Sequence, residues 1–545
     1  MNRRELLQMT GLLAVGSVGA SAKETAADHP RLFEVRDHGA RGDGKTVDTA
    51  ALNDAIDACH RAGGGVAYVP PGTYLCGTVV LKSNVTLYLE AGATLLGSAK
   101  LSDYSGKHLI SARDAENVGL AGPGRIDGQG PKFWVPSGRT PLPPEDAWRD
   151  VATYDWKPLP RPSPLLEFYN CRNLRIEDVR IENAPGWTLR PLLCNNVFIR
   201  GISIKNPVIG PNTDGLDLTC SQNVFVSDCM IDTGDDAICL KSENPYGDEI
   251  PVSKNITITN CVLSSCCNGL KFGTSTRGGF ENITFSNCVI FNEDVGLAAR
   301  TISGIAVEMV DGGWVEGVVI SNVRMQRVRT PIFIRRGARR ERADGSPGTL
   351  RGIMIDNLYA TGSILTSSIT GLPGFEAEDV SLSNIRIDSD EGGKAEWAGA
   401  TVPESPKKYP EARMFGRLPA AGLYCRHVRG LRARNLEFKF SPKEERPAMV
   451  LDDARDVAIE GLRTTPVVGA QPVVKLIQSK EVVIRGCSAP PATKAYTYLD
   501  IQGDQTEHIV VSGNDMVFAK RIVRQAPDVP AGAISLAGNA RNNQR

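Results

Sequence analysis

Three aspartates lie in two short segments, 21 residues apart: Asp214 in the first, and the adjacent pair Asp235 and Asp236 in the second. The surrounding sequence repeats with nearly the same period, so a coiled chain would place Asp214 directly beside the pair. Carboxyl groups held this close do not all ionise alike, because like-charge repulsion raises some of their pKa values. Aspartates are also common in turns, but turns seldom place paired acids on neighbouring coils. The spacing therefore predicts an acid beside a base, as hydrolysis of a glycosidic bond requires.

The repeat that must position these aspartates consists of short β-type runs, each opening with asparagine or another small polar residue. In the middle of the chain these runs begin at Asn173, Asn196, Asn223, Asn255 and Asn282. Apolar and polar residues alternate within each run, as in a strand with one buried face. Self-similarity at about 20 to 50 residues indicates a solenoid, and the Leu-x-x-Leu-x-Leu signature of leucine-rich repeats is missing. The sequence therefore predicts an all-β fold, a parallel β-helix.

Length and charge agree with a solenoid. The chain has 545 residues, which is too long for one compact core, yet no Pro/Gly/Ser-rich linker divides its middle. The 62 basic and 62 acidic residues give a formal net charge of zero, and no basic stripe with interleaved aromatic residues is visible. We expect a monomer with no nucleic-acid or membrane partner. The predicted segments are an N-terminal cap with the first coils at 30–100, catalytic coils at 101–440, and C-terminal coils with a cap at 441–545.

The N-terminus has the features of a targeting segment. Arg3 and Arg4 precede leucines, a modest apolar run follows, and Ala-Ser-Ala at 20–22 is a plausible cleavage site. The apolar run is too short for a membrane-spanning helix. We therefore predict a twin-arginine (Tat) signal peptide at residues 1–22 and a periplasmic or extracellular bacterial protein. The alternative is a disordered start that happens to contain two arginines.

The 13 cysteines do not follow a metal-binding pattern. Cys229, Cys261 and Cys288 occupy the same place in successive repeats, which predicts an inward-facing column of small apolar side chains. We expect few disulfides, no metal and no cofactor.

The chain resembles glycoside hydrolase family 28, the polygalacturonases and rhamnogalacturonan hydrolases, from about Phe33 to about Phe440. The most specific motifs are Asn-Thr-Asp-Gly-Leu-Asp at 212–217 and Gly-Asp-Asp-Ala-Ile-Cys-Leu-Lys-Ser at 234–242. The resemblance implies a right-handed parallel β-helix with the site in an open cleft on one face. It also implies that the catalytic residues are Asp214, Asp235 and Asp236, with a pectic polysaccharide or oligosaccharide as the substrate.

Two motifs of the polygalacturonases are altered. Their Gly-His-Gly has Asn268 in the histidine position, and their Arg-Ile-Lys, which binds a uronate carboxylate, has Ala306 and Glu308. A carboxylate about 4 Å from galacturonate would repel it by about 4 kcal/mol, whereas it could accept hydrogen bonds from a neutral sugar. Rhamnogalacturonan hydrolases also lack these motifs, so we predict rhamnogalacturonan cleavage. Polygalacturonase action, endo or exo, is the alternative; a β-helix lyase and a non-catalytic carbohydrate-binding solenoid also remain open.

Other residues are predicted to bind substrate. They are Asn212, Lys241, Asn268, Lys271, Glu308 and Arg426. Lys241 could equally form a structural ion pair. Two irregular insertions, 131–162 and 387–422, carry aromatic residues that could wall a cleft or simply pack. If they close one end of it, exo action is favoured.

The predicted mechanism assigns Asp235 as the acid that protonates the glycosidic oxygen. Asp214 and Asp236 together activate water on the opposite face of the sugar ring. Stacked coils can place carboxyl groups about 6.5–9.5 Å apart, which leaves room for that water and favours inversion.

Overall fold

The computed structural model of the protein describes residues 31–465, 471–492 and 496–541. The predicted signal peptide at residues 1–22 lies outside the described residues. Leu32–Arg545 form one compact unit. Its strands pair in parallel with the strands one coil before and one coil after, giving the predicted right-handed parallel β-helix with three long sheets. The predicted segment boundaries near residues 100 and 440 stay predictions.

One sheet carries the aspartate motifs, and we call it the site sheet. Its strands are Val79–Val80, Ile110–Arg113, Leu166–Tyr169, Leu189–Leu192, Leu216–Thr219, Ile238–Ser242, Asn268–Thr276, Ser303–Met309, Thr330–Arg336, Ser367–Thr370, Leu423–Arg429, Met449–Glu460, Val474–Ile477, Thr497–Gln502 and Arg521–Gln525. Successive strands of this sheet are hydrogen-bonded in register over most of their length. Equivalent positions on neighbouring coils are therefore about 4.8 Å apart.

Two further sheets complete each coil. The second sheet contains Leu32–Glu34, Gly65–Val69, Val85–Leu89, Gly119–Ala121, Arg172–Glu177, Asn195–Arg200, Gln222–Ser227, Ser253–Thr259, Gly279–Phe291, Trp314–Gln326, Thr349–Ser363, Ala377–Ser389, Arg432–Lys439, Lys480–Arg485, Glu507–Ser512 and Ile534–Ala537. The third contains Asp43–Val47, Gly72–Cys76, Ala93–Gly97, Arg125–Asp127, Arg180–Glu182, Ser203–Lys205, Met230–Thr233, Val262–Ser265 and Arg463–Thr464. Several of the longest strands continue from the second sheet into the third.

Helical segments are short. The α-helix Thr49–Arg61 covers the start of the coil stack and packs against it through Leu52, Ala55 and Ile56. Short 3-10 turns lie at Val35–His38, Leu101–Asp103, Gly130–Phe133, Pro144–Arg149, Ala152–Asp155, Leu297–Ala299 and Ala395–Gly399. Among the described residues, no helix has the length and apolar character needed to cross a bilayer.

The core is built from columns of identical positions. Val197, Val224, Ile256 and Ile283 face one another on successive coils, and all four are buried. The column expected from the cysteines is confirmed, because Cys229, Cys261 and Cys288 are also buried. All thirteen cysteines are free thiols. Each coil thus covers the apolar face of its neighbour, and that burial stabilises the stack.

The asparagines that open the β-type runs form a column at a turn. Asn84, Asn117, Asn173 and Asn196 all have positive φ, a conformation that asparagine tolerates better than most residues. The side-chain amide of Asn117 donates to Asn84 at 2.8 Å, and that of Asn173 donates to Asn117 at 2.9 Å. The repeated asparagine therefore marks where these coils turn.

The two insertions meet each other above the site sheet. The first contains an antiparallel hairpin, Trp134–Pro136 with Trp156–Pro158. The second contributes Arg413, which donates to the backbone carbonyl of Arg149 and, at 3.4 Å, to the hydroxyl of Tyr154. Apolar side chains of both insertions pack on the outer face of the site sheet in one cluster. The insertions are thus ordered walls of the sheet that carries the aspartates.

Candidate active site

The three aspartates precede two neighbouring strands of the site sheet. Leu216 pairs with Ile238 in the parallel register, and the amide of Gly215 donates to the carbonyl of Asp236 at 2.9 Å. This register sets Asp214 beside Asp236 on the next coil. One carboxylate oxygen from each of Asp214, Asp235 and Asp236 lies within 4.8 Å of the others. The structure thus brings together the three residues that the sequence places one repeat apart.

The expected spacing between the carboxyl groups is wrong. An opening of about 6.5–9.5 Å was expected, but the nearest oxygens are within 4.8 Å. The reason is the stacking itself, because neighbouring strands of a sheet are only about 4.8 Å apart. Residues at equivalent positions on adjacent coils cannot leave room for a water between them without side chains turning away from each other.

The carboxyl groups differ in access and in pKa. Asp214 and Asp236 are almost fully buried, whereas Asp235 lines an open cavity. Burial, together with the neighbouring charge of Asp236, raises the pKa of Asp235 to about 6. Burial and the charge of Asp235 raise the pKa of Asp214 well above its usual value. Asp235 is therefore the carboxyl group that can hold a proton near neutral pH and still reach a ligand.

Two buried lysines lie among these acids. The Lys241 ammonium is 2.6 Å from Asp217 and 3.3 Å from Asp214, and it lies 4.6 Å from the centre of the Trp187 ring. Burial alone would lower the pKa of Lys241, but its carboxylate neighbours raise it well above its usual value. Lys241 thus lies within the aspartate cluster and forms structural ion pairs with Asp217 and Asp214.

Lys271 and Asn268 hold Asp236 from the next coil. The Lys271 ammonium lies 3.1 Å from Asp236 Oδ2, and the Asn268 amide donates to Asp236 Oδ1 at 2.6 Å. Both oxygens of Asp236 are therefore occupied by donors. The side chain of Asn212 accepts a hydrogen bond from Arg161 at 3.3 Å.

A cavity of about 660 Å³ opens over the aspartate cluster. Its floor includes Asp235, Asn268 and Lys271, and Asn212 lies at its edge. The walls come from the two insertions and are lined by Ser137, Arg139, Thr153, Tyr154, Trp156, Lys157, Pro158, Tyr409 and Glu411. Aromatic rings beside acidic and basic groups suit a sugar, which has an apolar ring face and polar edges.

The family assignment follows from the sequence as well as from this site. The sequence model described as Glycosyl hydrolases family 28 matches residues 59–407, more than half of the chain. The chain belongs to this family. It is a glycosidase, as the aspartate spacing predicts.

Individual relatives and structures agree with the family. A probable polygalacturonase of Vitis vinifera is 25% identical over 382 residues, which cover 64% of this chain and 73% of that protein. An exo-poly-alpha-D-galacturonosidase of Dickeya chrysanthemi is 29% identical over 350 residues, covering 56% of this chain and 57% of that protein. The crystal structure of a hyperthermoactive exopolygalacturonase from Thermotoga maritima matches with a TM-score of 0.53 and 26% identity, covering 66% of this chain and 87% of that one.

Within this family-28 site, the structure corrects the place of Glu308. The sequence places it in contact with a neutral sugar, but Glu308 is fully buried and does not line the cavity. The Lys271 ammonium lies between Glu308, at 3.6 Å, and Asp236. Burial raises the pKa of Glu308 to about 8. Glu308 therefore acts on the site through Lys271, and the expected repulsion of galacturonate by its carboxylate does not arise.

Arg426 also lies elsewhere than expected. It stands four strands of the site sheet beyond Lys271, at about 4.8 Å per strand, and lines a separate cavity. Its guanidinium is held by Glu404 at 2.5 Å and by the carbonyl of Val402 at 2.6 Å. Its predicted role in binding substrate beside Asp214, Asp235 and Asp236 is therefore wrong, because the insertion lies between the two places.

Arg161 is a residue of the site that sequence reasoning missed. Arg161 lies near Asp214, and its Nη1 is buried with no hydrogen-bond partner among the described residues. It belongs to a proline-rich stretch outside the repeat, so no periodic signal marks it. Of the insertion aromatics, Tyr154, Trp156 and Tyr409 line the cavity. Their aromatic character was the available signal.

Proposed function

We propose that this family-28 protein is an exo-acting hydrolase of galacturonate-containing pectic chains, similar to the polygalacturonases. The observation that carries the proposal is the aspartate cluster at the floor of a cavity walled by two insertions that contact each other. Arg413 joins the walls by its bonds to Arg149 and Tyr154. A polymer cannot pass between walls that touch, so the cavity admits a chain end.

The charges near the cavity support an acidic sugar as the substrate. Lys271 and Lys157 line the cavity, and the buried Arg161 Nη1, beside Asn212 and Asp214, has no hydrogen-bond partner among the described residues. The Glu308 carboxyl does not repel a uronate in the cavity, because Lys271 lies between them. Arginine binds carboxylates through its fork of donors. The names of the relatives agree with this substrate.

In the proposed mechanism Asp235 protonates the leaving oxygen, because it lines the cavity and its pKa is raised to about 6. Asp236, beside Asp214, orients the attacking water and accepts the proton that the water loses as its oxygen bonds to the anomeric carbon. Both oxygens of Asp236 already accept bonds from Asn268 and Lys271, which suits a carboxylate that orients water better than one that forms a covalent ester. We propose inversion on the ground of these two contacts to Asp236, because the spacing of the carboxyl groups does not support it.

Rhamnogalacturonan cleavage is the second candidate. It is favoured by one observation: Ala306 and Glu308 replace the arginine and lysine of the polygalacturonase motif, and both are buried. No cation from this strand reaches the cavity. A calcium-dependent lyase is disfavoured by the two ammonium groups, which already neutralise carboxylates in the aspartate cluster.

The test is chromatography of the products from polygalacturonan and from rhamnogalacturonan I, incubated side by side without added metal. Release of galacturonate monomer from polygalacturonan supports the proposal. Saturated oligosaccharides from rhamnogalacturonan alone would replace it with the second candidate. Calcium-dependent products that absorb in the ultraviolet would identify a lyase. The Asp235→Asn protein is the control for contaminating enzymes.

We also propose that residues 1–22 direct export by the Tat route to the periplasm or exterior and that the mature protein acts as a monomer. The twin arginines at Arg3 and Arg4 support the first part. Replacing both with lysine should keep the protein in the cytoplasm, which cell fractionation would show. Light scattering of the purified protein tests the second part.

A further inference from the structure

The outer face of the site sheet carries a second cavity, of about 170 Å³, on the far side of the second insertion. A single column of the sheet links the two cavities. It starts at Lys271 in the catalytic cavity and reaches Lys475 in the second cavity after six strand-to-strand steps. At about 4.8 Å per step, the two lysines are about 29 Å apart along the sheet. Both cavities therefore open on the same side of the protein.

The walls of the second cavity are mainly apolar. Tyr424, Val450 and Ile477 from three successive strands lie beneath it, and of these only Ile477 is partly exposed; Val402 and Pro419 from the insertion lie at its wall. Its volume equals that of about six water molecules, at about 30 Å³ each. A space of this size and character suits one small ring with an apolar face, not an extended chain.

The polar groups of the second cavity are fixed in place. Arg426 is held by Glu404 at 2.5 Å and lies 3.2 Å from Asp452, which also accepts a bond from the Tyr424 hydroxyl at 3.4 Å. These contacts leave the cavity with an immobile donor and acceptor beside its apolar floor. Such a pair can bind ring hydroxyl groups.

Lys475 is the cation of this cavity that lacks a counter-ion. No carboxylate lies within ion-pair distance of its ammonium among the described residues. Its neighbour in the next strand, Asp500, is already paired with Arg524 at 2.6 Å. An anionic group entering the cavity would therefore find a free partner in Lys475.

We propose that the second cavity binds one uronic acid residue of the same polysaccharide that the catalytic cavity cleaves. The carboxylate pairs with Lys475, ring hydroxyls bond to Asp452 and Arg426, and the apolar ring face packs on Ile477. This proposal rests on the proposed function, because that supplies the acidic polymer. Holding a second segment of the polymer raises the effective concentration of chain ends at the catalytic cavity.

The second cavity should affect long substrates and not short ones. A polymer can occupy both cavities, whereas an oligosaccharide too short to span about 29 Å occupies one at a time. Removing Lys475 should therefore weaken the binding of polymer and raise its KM. The kcat and the KM for a short oligosaccharide should not change, since Lys475 lies outside the catalytic cavity.

The experiment compares Lys475→Ala and Lys475→Glu with Lys480→Ala, a matched lysine in the second sheet whose ion pair is with Glu507. Each is combined with Asp235→Asn, and polygalacturonan binding is measured by calorimetry. We expect the Lys475→Ala affinity to fall by about tenfold, as for loss of a charged hydrogen bond, and the Lys475→Glu affinity to fall further. The control variant should bind like the parent. Equal thermal melting of all variants shows that they are folded.

Three outcomes are decisive. Equal polymer affinity for the Lys475 and Lys480 variants would overturn the second site. A selective loss that free galacturonate reproduces by competition, but galactose does not, would support it for a uronate. If the parent neither binds nor cleaves polygalacturonan, the proposed function has failed; a loss confined to the Lys475 variants while the active protein still cleaves the polymer leaves that function standing.

Discussion

The Lys271 ammonium lies 3.1 Å from Asp236, and both side chains are almost completely buried. The same ammonium lies 3.6 Å from Glu308, so one cation from the middle coil serves carboxylates on the coils before and after it. A buried carboxylate without such a partner would be costly. This relationship couples the stability of the site to its chemistry.

Replacing Asp235 with Asn removes the proposed acid while keeping its size. We expect kcat on polygalacturonan to fall by about 10²- to 10⁴-fold, the usual contribution of general acid catalysis. The loss should appear in reducing-sugar release, with unchanged thermal melting as the control for folding. Near-full activity of this variant would remove Asp235 from the mechanism.

The pH dependence of the reaction should reflect the same residue. Burial and the charge of Asp236 raise the pKa of Asp235 to about 6, so the proton it must donate is lost as the pH rises above that value. The rate, kcat/KM, should therefore fall with a descending limb near pH 6. Initial rates from pH 4 to 8 would show it, and a flat profile across pH 5–7 would contradict the assignment.

Lys271→Met should leave Asp236 buried without its cation. Breaking a buried ion pair in this way costs about 3–5 kcal/mol of the free energy of unfolding. Adding Glu308→Gln should recover part of that loss, because a second unpaired buried carboxyl is removed. Urea unfolding of the two single variants and the double variant completes the cycle. Strictly additive effects would show that Lys271 does not couple to Glu308.

Glu308→Gln alone should change the pH dependence of stability. Burial raises the pKa of Glu308 from its usual 4.5 to about 8, so between these values the folded state holds a proton that the unfolded state has released. Stability from this group therefore falls as the pH rises through that range. The Gln variant should lose less stability than the parent between pH 5 and 8 in thermal melts. An identical slope would mean that Glu308 does not titrate in this way.

His427 should stabilise the second insertion at low pH. Burial alone would lower the pKa of its imidazole, but its contacts with Asp453 at 2.6 Å and Glu404 at 3.1 Å raise it. Stabilisation is fully present below the unfolded pKa of about 6.5 and is lost as the pH rises through the raised value. The protection of amides around Glu404, relative to their intrinsic exchange rates at each pH, should fall as the pH rises through this range. In His427→Gln that fall in protection should disappear.

The sequence predicted the parts of the site that obey the repeat. Asp214, Asp235 and Asp236 are separated by one period, and the register joins them as expected. Asn268 and Lys271 follow one coil later and reach the same place. The period alone did not indicate how close adjacent coils are, so the carboxyl spacing was overestimated.

The errors lie where the repeat gives no information. Glu308 was placed by a motif position, but its exposure depends on the Lys271 side chain that covers it. Arg426 was assigned to the site because it follows an insertion rich in aromatic and basic residues, and the path of that insertion is set by long-range packing. Arg161 is missed because it lies in a stretch that does not repeat. Which side chain covers another, and which course an insertion takes over the sheet, depend on tertiary packing. Local sequence patterns do not encode either property.

The proposed catalytic aspartates and their lysines all come from three successive coils, between Asp214 and Lys271. The reaction chemistry is thus modular: it depends on the alignment of three adjacent layers and not on the total number of layers. Whole coils could be added or removed near the ends of the stack, by evolution or by design, without moving a catalytic atom. Partial repeats would have the opposite effect, because they would shift one layer against the next and separate the acids from their cations.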